Sequence, residues 1–540
     1  MDLTASYISY GDTRYFSKIV LDYLAQAPSI QPFYRHPVSL EGIKASITAR
    51  QGIATDRQLL VDVLQKQYAS VPVSESVAKN IGLLQNDNTF TLCTAHQPNI
   101  FTGPLYFIYK ILHVVKLAGE LKEQLKDNDF VPVYYMGSED ADLDELGHIY
   151  IDGEKYDWKT NQAGAVGRMK VDRALVDLID TVSGQLLVHP YGAEIIGLMK
   201  ECYKENVTIA EATFQLVNRL FGDYGVVILL PDNPRLKNAF IPVIEKELTT
   251  EFSYSMVQDT ITKFPVEYKV QASGRELNLF YLKDDKRERI EMVKGEWSVV
   301  NTNLKFTKEG ILAELKEFPG RFSPNVILRP VFQEWILPNV AFIGGGGEIA
   351  YWLQLKKVFE AVEVPYPVLM VRNSFLLVSR QIQAAVNKLK FGHGDLFQTE
   401  QELINQLVKR ESVLQLSLQN EYRELAEFYE KLKLITADID ITLQRHTSAL
   451  QTRGLKLLAA LEKKMLRAEK RKFEVEQRKL EKIKRQLFPL NNLQERVDNL
   501  MPYYAVHGKG FIEMIYNHSK GLEQKFGVLI ENEMSPVTQA

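Results

Sequence analysis

Cysteine is nearly absent from this 540-residue chain, which contains only Cys93 and Cys202. Two cysteines cannot build a disulfide framework or a cysteine-rich zinc site, so we expect a protein of a reducing compartment that holds no zinc. The sequence also lacks an uncharged apolar run of membrane-spanning length, and it has no basic region followed by an apolar core at its start. We therefore expect a cytoplasmic protein that does not enter a membrane.

An excess of charge of one sign is lacking as well, because the formal net charge is only -3. This balance argues against nucleic acid as a partner, since such binding rests on many basic contacts to phosphates. The segment 462–485 has eleven basic and five acidic residues, a mixture typical of a solvated helical face. With 45% hydrophobic residues, the chain has the composition of a folded protein, and its length predicts two or three structural units.

Five short apolar runs, each ending in a turn, predict the strands of a parallel sheet. They read TFTLCTAH, FVPVYYM, VVILL, NVAFIG and PVLMV, and helical patterns or irregular insertions separate them. The fold class that we predict is α/β: a Rossmann-like parallel sheet core with inserted connecting segments, plus a long α-helical coiled-coil hairpin. Ligands of such sheets bind at the carboxyl ends of the strands.

Changes in pattern divide the chain into eight predicted segments. They are a helical N-terminal leader (1–85), the first half of the core (86–150), an insertion (151–210), a core strand (211–235), a second insertion with an antiparallel hairpin (236–320), the second half of the core (321–390), a coiled coil (391–490) and a C-terminal cap (491–540).

The predicted coiled coil rests on two long stretches, 395–453 and 455–488, that contain neither Gly nor Pro. Leu443, Leu450 and Leu457 repeat at seven residues, as the seam of a coiled coil does. Gly454 marks either the reversal between two helices or a tolerated glycine inside one. Because a single hairpin would expose this apolar seam, we expect a homodimer.

Two turns after the predicted strands carry candidate binding or catalytic groups. Thr102 and Gly103 precede a helix expected to begin at Pro104 or Leu105, where free backbone N–H groups could bind an anion; an ordinary helix cap is the alternative. Asp140 and Asp142 follow the second strand and could accept a proton from an amine, although helix capping also explains them.

A third turn contains four consecutive glycines, 344–347, which predicts a close approach of backbone to a ligand. We expect Glu348, Tyr351 and Trp352 to face the same pocket mouth. In the preceding segment Arg329 could bind a carboxylate or phosphate, with Gln333 beside it, or could instead pair with Glu334. The glycines lack the spacing of a dinucleotide-binding motif.

Four segments together resemble the BshC family of cysteine ligases: HQPNIFTGPLYFIYK, VPVYYMGSEDADLDEL, RFSPNVILRPVFQEWILPNVAFIGGGGEIAYW and the coiled coil behind PVLMVRNSFLLV. The resemblance covers nearly the whole chain. It implies that L-cysteine and glucosaminyl-malate are the substrates and that the coiled coil dimerises. The site residues that it implies are Gln97, Thr102, Gly103, Glu139, Asp140, Asp142, Gly345, Gly347 and Glu348.

The expected activity is formation of an amide between cysteine and the glucosamine amine. ATP, with Mg²⁺ as a possible companion, is the expected activator, by analogy of fold and reaction with aminoacyl-tRNA synthetases. Two alternatives remain: a transferase that uses a preactivated cysteinyl donor, and a non-catalytic coiled-coil scaffold. We also expect a nucleotide or another anion where Arg372 and Arg380 meet Lys482 and Gln486 of the basic helix.

Overall fold

The structure is a computed structural model that describes residues 3–532. Within these residues the chain forms two compact units. The first contains residues 3–11, 15–376 and 492–529, and the second contains residues 12–14, 377–491 and 530–532. None of the described helices combines the length and the apolar character needed to cross a membrane.

The described strands are β1 (Leu3–Ile8), β2 (Thr89–His96), β3 (Asp129–Met136), β4 (His148–Ile151), β5 (Glu154–Asp157), β6 (Val227–Leu229), β7 (Leu279–Lys283), β8 (Lys286–Val293), β9 (Glu296–Val299), β10 (Lys305–Phe306), β11 (Phe322–Pro324), β12 (Asn339–Gly344), β13 (Val368–Val371), β14 (Ser374–Val378) and β15 (Phe526–Glu531).

The described α-helices are α1 (Lys18–Leu24), α2 (Leu40–Gln51), α3 (Arg57–Tyr68), α4 (Glu75–Leu83), α5 (Tyr106–Gln124), α6 (Leu143–Leu146), α7 (Arg173–Leu186), α8 (Gly192–Cys202), α9 (Ile209–Phe221), α10 (Pro234–Ala239), α11 (Ile241–Thr250), α12 (Phe252–Ile261), α13 (Lys308–Glu317), α14 (Arg329–Ile336), α15 (Gly346–Trp352), α16 (Lys356–Ala361), α17 (Arg380–Lys388), α18 (Glu400–Glu411), α19 (Gln419–Ile439), α20 (Ile441–Lys470), α21 (Glu474–Leu487), α22 (Leu500–His507) and α23 (Lys509–His518).

The core of the first unit is a five-stranded sheet in the order β13-β12-β2-β3-β6. Every neighbouring pair is parallel, as Cys93 opposite Val133 and Phe342 opposite Cys93 illustrate. The five apolar runs of the sequence form these five strands, so the predicted Rossmann-like sheet is confirmed. The chain changes winding direction between β2 and β12, and a crevice opens at such a point in doubly wound sheets.

Helix packing buries the apolar side chains of this sheet. Val114 and Leu117 of α5 join Leu92, Ile343 and Met370 in one buried cluster. Because α5 lies directly against the strands, its amino end is fixed at the carboxyl edge of the sheet.

Two peripheral parts of the first unit bear on the predictions. The second insertion contains an antiparallel sheet in the order β10-β9-β8-β7-β11, with Phe280 opposite Arg289, as the sequence predicted. The leader is not entirely helical, because it begins with β1, an edge strand beside β15. The partner strand lies some 500 residues later in the chain, so local periodicity gave no sign of the pairing.

In the second unit α19 and α20 form an antiparallel hairpin. Gln451 donates to the carbonyl of Ala426, and the Thr436 and Thr447 hydroxyls lie 3.2 Å apart. The chain reverses at Asp440, whose extended backbone and side-chain cap on the Thr442 N–H start α20 without Gly or Pro. Gly454 is therefore the tolerated glycine inside a helix, and a reversal at Gly454 is wrong.

Candidate active site

A cavity of about 510 Å³ lies at the carboxyl edge of the parallel sheet, at the change of winding direction. We call it the central cavity. Its lining comes from the turns after β2, β3, β6, β12 and β13, from α5, α14 and α15, and from the antiparallel sheet. The volume is that of a small-molecule site. It brings together turns that are hundreds of residues apart in sequence.

Arg329, the first residue of α14, lies on one side of the central cavity. Its Nη2 donates to the Tyr351 hydroxyl at 2.6 Å, whereas its buried Nη1 has no hydrogen-bond partner among the described residues. Burial lowers the pKa of Arg329, but Tyr351, Tyr135 and Glu348 outweigh that effect and raise it above its usual value. Arg329 is thus a permanent cation whose buried Nη1 is available to a ligand.

Arg372 follows β13 and lines the same cavity with only 3% of its surface exposed. Its Nη2 donates to Glu495 at 2.7 Å and its Nη1 to the Ser374 hydroxyl at 3.0 Å, which leaves Nε buried without a hydrogen-bond partner in the described chain. The Nε atom would lie 3.7 Å from a Cβ built on Gly345, at the wall of the cavity.

The predicted anion site near the basic helix therefore does not include Arg372. Arg372 belongs to the central cavity of the first unit, not to a junction with Lys482 and Gln486. Arg380 begins α17 in the second unit, where its Nε donates to the carbonyl of Asn532 at 3.1 Å. Lys482 and Gln486 are exposed residues of α21 in that unit.

Lys110 and Glu348 form an ion pair in the cavity wall. Lys110 also donates to the Ala95 carbonyl at 2.9 Å, and Glu348 accepts the Gly345 N–H at 2.9 Å. Burial lowers the pKa of Lys110, although Glu348 opposes this shift. The pair joins α5 and the end of β2 to the glycine turn after β12 across the switch point.

His96 ends β2 beside these cations, and its Nε2 is buried without a hydrogen-bond partner within residues 3–532. Burial, together with Lys110, Arg372 and Arg329, keeps the pKa of His96 well below its usual value. The imidazole is consequently neutral and faces the cavity.

Carboxylates of the turn after β3 also line the cavity. Asp140 accepts from Gln97 at 3.1 Å and lies 3.9 Å from the Arg287 guanidinium. Glu139 pairs with Lys237; burial raises the pKa of Glu139, against the opposing effect of Lys237. Asp140, Glu139 and Glu145 line the cavity.

Asp142 does not line the central cavity with Asp140. Its side chain accepts the Glu145 N–H at 3.1 Å and caps the short helix α6. The two aspartates of this turn thus have separate surroundings: Asp140 meets the cavity, and Asp142 performs the capping that the sequence offered as the alternative.

The structure does not bring Thr102 and Gly103 into the central cavity either. Asn499 donates to the Gly103 carbonyl at 2.7 Å, and Asp498 accepts the Leu105 N–H at 2.8 Å. Gly103 has a φ of 62°, and an added Cβ would lie 2.7 Å from that of Asn99. The turn at Gly103 therefore has a structural role. Helix α5 begins at Tyr106, slightly later than predicted.

Trp352 is wrongly expected at the pocket mouth. It is fully buried and stacks on Phe342 with ring centroids 4.2 Å apart, whereas its neighbour Tyr351 lines the cavity. Consecutive helical residues point about 100° apart, so the two rings cannot share one direction.

Gln333 is also fully buried away from the cavity, and it donates to Glu334 at 2.8 Å. Glu334 pairs with Arg50 at 3.2 Å. The suggested pair between Arg329 and Glu334 is therefore wrong. Gln97, Arg329, Gly345, Gly347, Glu348 and Tyr351, by contrast, all line the cavity together with Asp140.

Several lining residues were not predicted, among them Tyr106, Lys110, Arg287 and Arg496. Tyr106 and Lys110 are four residues apart on α5 and share one face, a signal that the sequence did contain. Arg287 and Arg496 come from segments whose approach depends on the tertiary fold. Within residues 3–532, no group of three or more His, Cys, Asp and Glu side chains could hold a metal ion.

Two family models match the chain. Residues 3–373 match "Bacillithiol biosynthesis BshC, N-terminal Rossmann-like domain", and residues 375–531 match the corresponding "C-terminal coiled-coil domain".

Relatives match over nearly the whole length. Proteins of Flavobacterium johnsoniae and Christiangramia forsetii are 38% and 37% identical, over 97% of this chain and 99% and 98% of their own lengths. A Bacillus cereus relative is 26% identical over 95% of this chain and 97% of its own. Each of the three is named "Putative cysteine ligase BshC". The chain belongs to the BshC family of bacillithiol biosynthesis.

Proposed function

We propose that this protein is a ligase that joins the carboxyl group of L-cysteine to the amine of glucosaminyl-malate and so forms bacillithiol. The observation that carries the proposal is the central cavity of a BshC-family chain, whose lining includes both cations and carboxylates. Such a cavity suits a substrate with anionic groups at one end and an amine at the other.

The cations of the cavity support recognition of the malate group. Malate carries carboxylates, and the unpartnered Nη1 of Arg329 can donate a charge-assisted hydrogen bond to one of them. The Tyr351 hydroxyl holds the guanidinium in place from the other side. Because Thr102 and Gly103 lie outside the cavity, the helix end that follows them has no part in this proposal.

The carboxylates of the cavity support activation of the amine. Glucosamine is cationic near neutral pH, so its nitrogen must release a proton before it can attack. In the proposed step the ammonium first gives one proton to Asp140, and the resulting amine bonds to the activated carbonyl carbon of cysteine. The bond from that carbon to the activating group then breaks, the activating group leaves with the electron pair, and the nitrogen releases its second proton to water. Gln97 and Arg287 orient Asp140 for this purpose.

ATP is the proposed source of activation, because amide formation from a free carboxylate is uphill in water. Gly347 would lie beside its phosphates, since a Cβ added there meets no atom within 4 Å and the backbone is open to the cavity. Mg²⁺ would accompany the phosphates.

A reconstituted assay separates the alternatives. The purified protein with cysteine, glucosaminyl-malate and Mg-ATP should form bacillithiol and consume ATP in equal amounts. Product formed only from a preactivated cysteinyl donor would establish the transferase instead. A scaffold would give no product under either condition, and cells lacking the protein would then not accumulate glucosaminyl-malate.

Gly347→Ala tests the close approach of a ligand to the glycine turn. The methyl group meets no protein atom, so the melting temperature should stay the same, whereas kcat/KM should fall by about tenfold or more because the methyl occupies ligand space. Gly119→Ala is the matched control, since that exposed helical glycine also has no atom within 4 Å of an added Cβ. Equal activity of the two variants would contradict the close approach.

We also propose a homodimer through the α19–α20 hairpin. Every residue of α19 keeps part of its side chain exposed, and Leu457 of α20 is 67% exposed. Such an apolar seam favours a second helical hairpin as its cover. Light scattering should give twice the chain mass of 61.8 kDa, and Leu457→Glu should shift the mass towards the monomer. A monomeric wild type at micromolar concentration would refute the dimer.

A further inference from the structure

The central cavity contains a second buried arginine, Arg372, that the proposed function does not use. Arg372 is 3% exposed, and its Nε is buried without a hydrogen-bond partner in the described chain. A buried N–H that donates to nothing is costly, because it has lost its water without gaining a partner. An acceptor supplied by a ligand would remove this cost.

The remainder of the Arg372 side chain is firmly held. Nη2 donates to Glu495 at 2.7 Å, and Nη1 donates to the Ser374 hydroxyl and the Asn373 carbonyl. Glu495 is fully buried and also accepts from the Ser374 hydroxyl at 3.1 Å and the Phe375 N–H at 3.3 Å. Glu495 therefore fixes the guanidinium so that Nε is the donor left for the cavity.

The surroundings of Arg372 select an anion. Tyr106, Gly345 and Glu348 line the cavity with it, but Glu348 is already paired with Lys110. His96, with its own unpartnered Nε2, is neutral and can donate a hydrogen bond to a ligand. Together with Nη1 of Arg329, the cavity thus contains three unpartnered buried nitrogens.

We propose that Arg372 forms a second carboxylate subsite, that Arg329 and Arg372 each bind one carboxylate of the malate group, and that Glu495 is the positioning residue for Arg372. The proposal rests on the proposed function, since it divides the recognition of that substrate between two arginines. It predicts selectivity for a dicarboxylate over a monocarboxylate.

Arg372→Lys is the sharpest test. Lysine keeps the charge next to Glu495, so the buried pair survives, but it has no N–H at the Nε position. The affinity for free L-malate, measured by calorimetry on the full chain, should fall by about tenfold or more, the scale of one charge-assisted hydrogen bond. The affinity for the monocarboxylate lactate should change little. Arg235→Lys, at an exposed arginine bound to Asp62, is the control.

Glu495→Gln tests the positioning role. The neutral side chain fits the same space, and we expect KM for glucosaminyl-malate to rise while kcat changes much less. A loss of folding would appear as a lower melting temperature. In that case Arg372→Gln combined with Glu495→Gln, which removes both buried charges, should fold and show the same weak malate binding.

Three results would overturn the inference: unchanged malate affinity in Arg372→Lys, equal losses for malate and lactate, or loss of affinity for inorganic phosphate but not for malate. The last result would assign the subsite to a phosphate. Each of the three results is compatible with bacillithiol formation by the wild type, so the proposed function would stand. Wild-type protein that neither binds malate nor makes the amide would instead refute the proposed function.

Discussion

Asp140→Asn should lower kcat/KM for amide formation by about a hundredfold or more, the scale expected for loss of a positioned acid or base. Asparagine keeps the shape of the side chain and can still bond to Gln97, but it cannot accept the ammonium proton. Since Asp140 is partly exposed at the cavity, the melting temperature should change little. Steady-state kinetics with glucosaminyl-malate varied, together with thermal unfolding, measures both quantities.

Asp142→Asn is the matched control for this prediction. Asparagine is an N-cap as good as aspartate, so α6 should remain intact, and Asp142 does not line the cavity. Its activity should stay within a few-fold of the wild type. Full activity in Asp140→Asn, or an equal loss in both variants, would remove Asp140 from proton transfer and return this turn to a structural or purely electrostatic role.

The part of the fold that local sequence patterns determine could be predicted. Each apolar run buries its side chains on both faces, as strands of a parallel sheet do, and the turns after these runs meet at one edge because parallel strands all end there. Asp140 and Gly345 were found for this reason, because each follows closely on a strand that fixes its position. Arg329 was found by a different signal, a charged residue inside an apolar segment.

What could not be predicted depends on partners far apart in the chain. Glu495 holds Arg372 from 123 residues away, and Asn499 occupies the Gly103 turn from 396 residues away. Hydrophobic periodicity carries no information about contacts between residues so far apart in the chain. The turn at Gly103 therefore looked open to a ligand, and Arg372 looked like a surface arginine near the basic helix.

Sequence also could not decide between two readings of one pattern. Asp140 and Asp142 are two residues apart and both suit a helix start, yet only Asp142 caps α6. Tyr351 and Trp352 are adjacent, and the rotation of α15 decides which one meets the cavity. These choices follow from the packing of α6 and α15, helices of four and seven residues that are too short for periodicity to fix their orientation.

Arg329→Gln should raise KM for glucosaminyl-malate strongly, with a loss in kcat/KM of about tenfold to a hundredfold, because a charge-assisted hydrogen bond to a carboxylate is replaced by a neutral one. Glutamine is too short to reach the Tyr351 hydroxyl, which now accepts from Nη2, so thermal unfolding should accompany the kinetics and separate a loss of folding from a loss of binding. Arg329→Lys keeps the positive charge but not the planar guanidinium, so its loss in kcat/KM should be smaller.

Truncation of the substrate distinguishes carboxylate recognition from a general change in the cavity. A glucosamine derivative without the malate carboxylates should react poorly with the wild type, and Arg329→Gln should make it little worse, since the group that Arg329 binds is already missing. Arg235→Gln, outside the cavity, should behave as the wild type with both substrates. If Arg329→Gln were to impair both substrates equally, Arg329 would act on the cysteine or phosphate side of the reaction, and recognition of malate would have to rest on the remaining cations of the cavity.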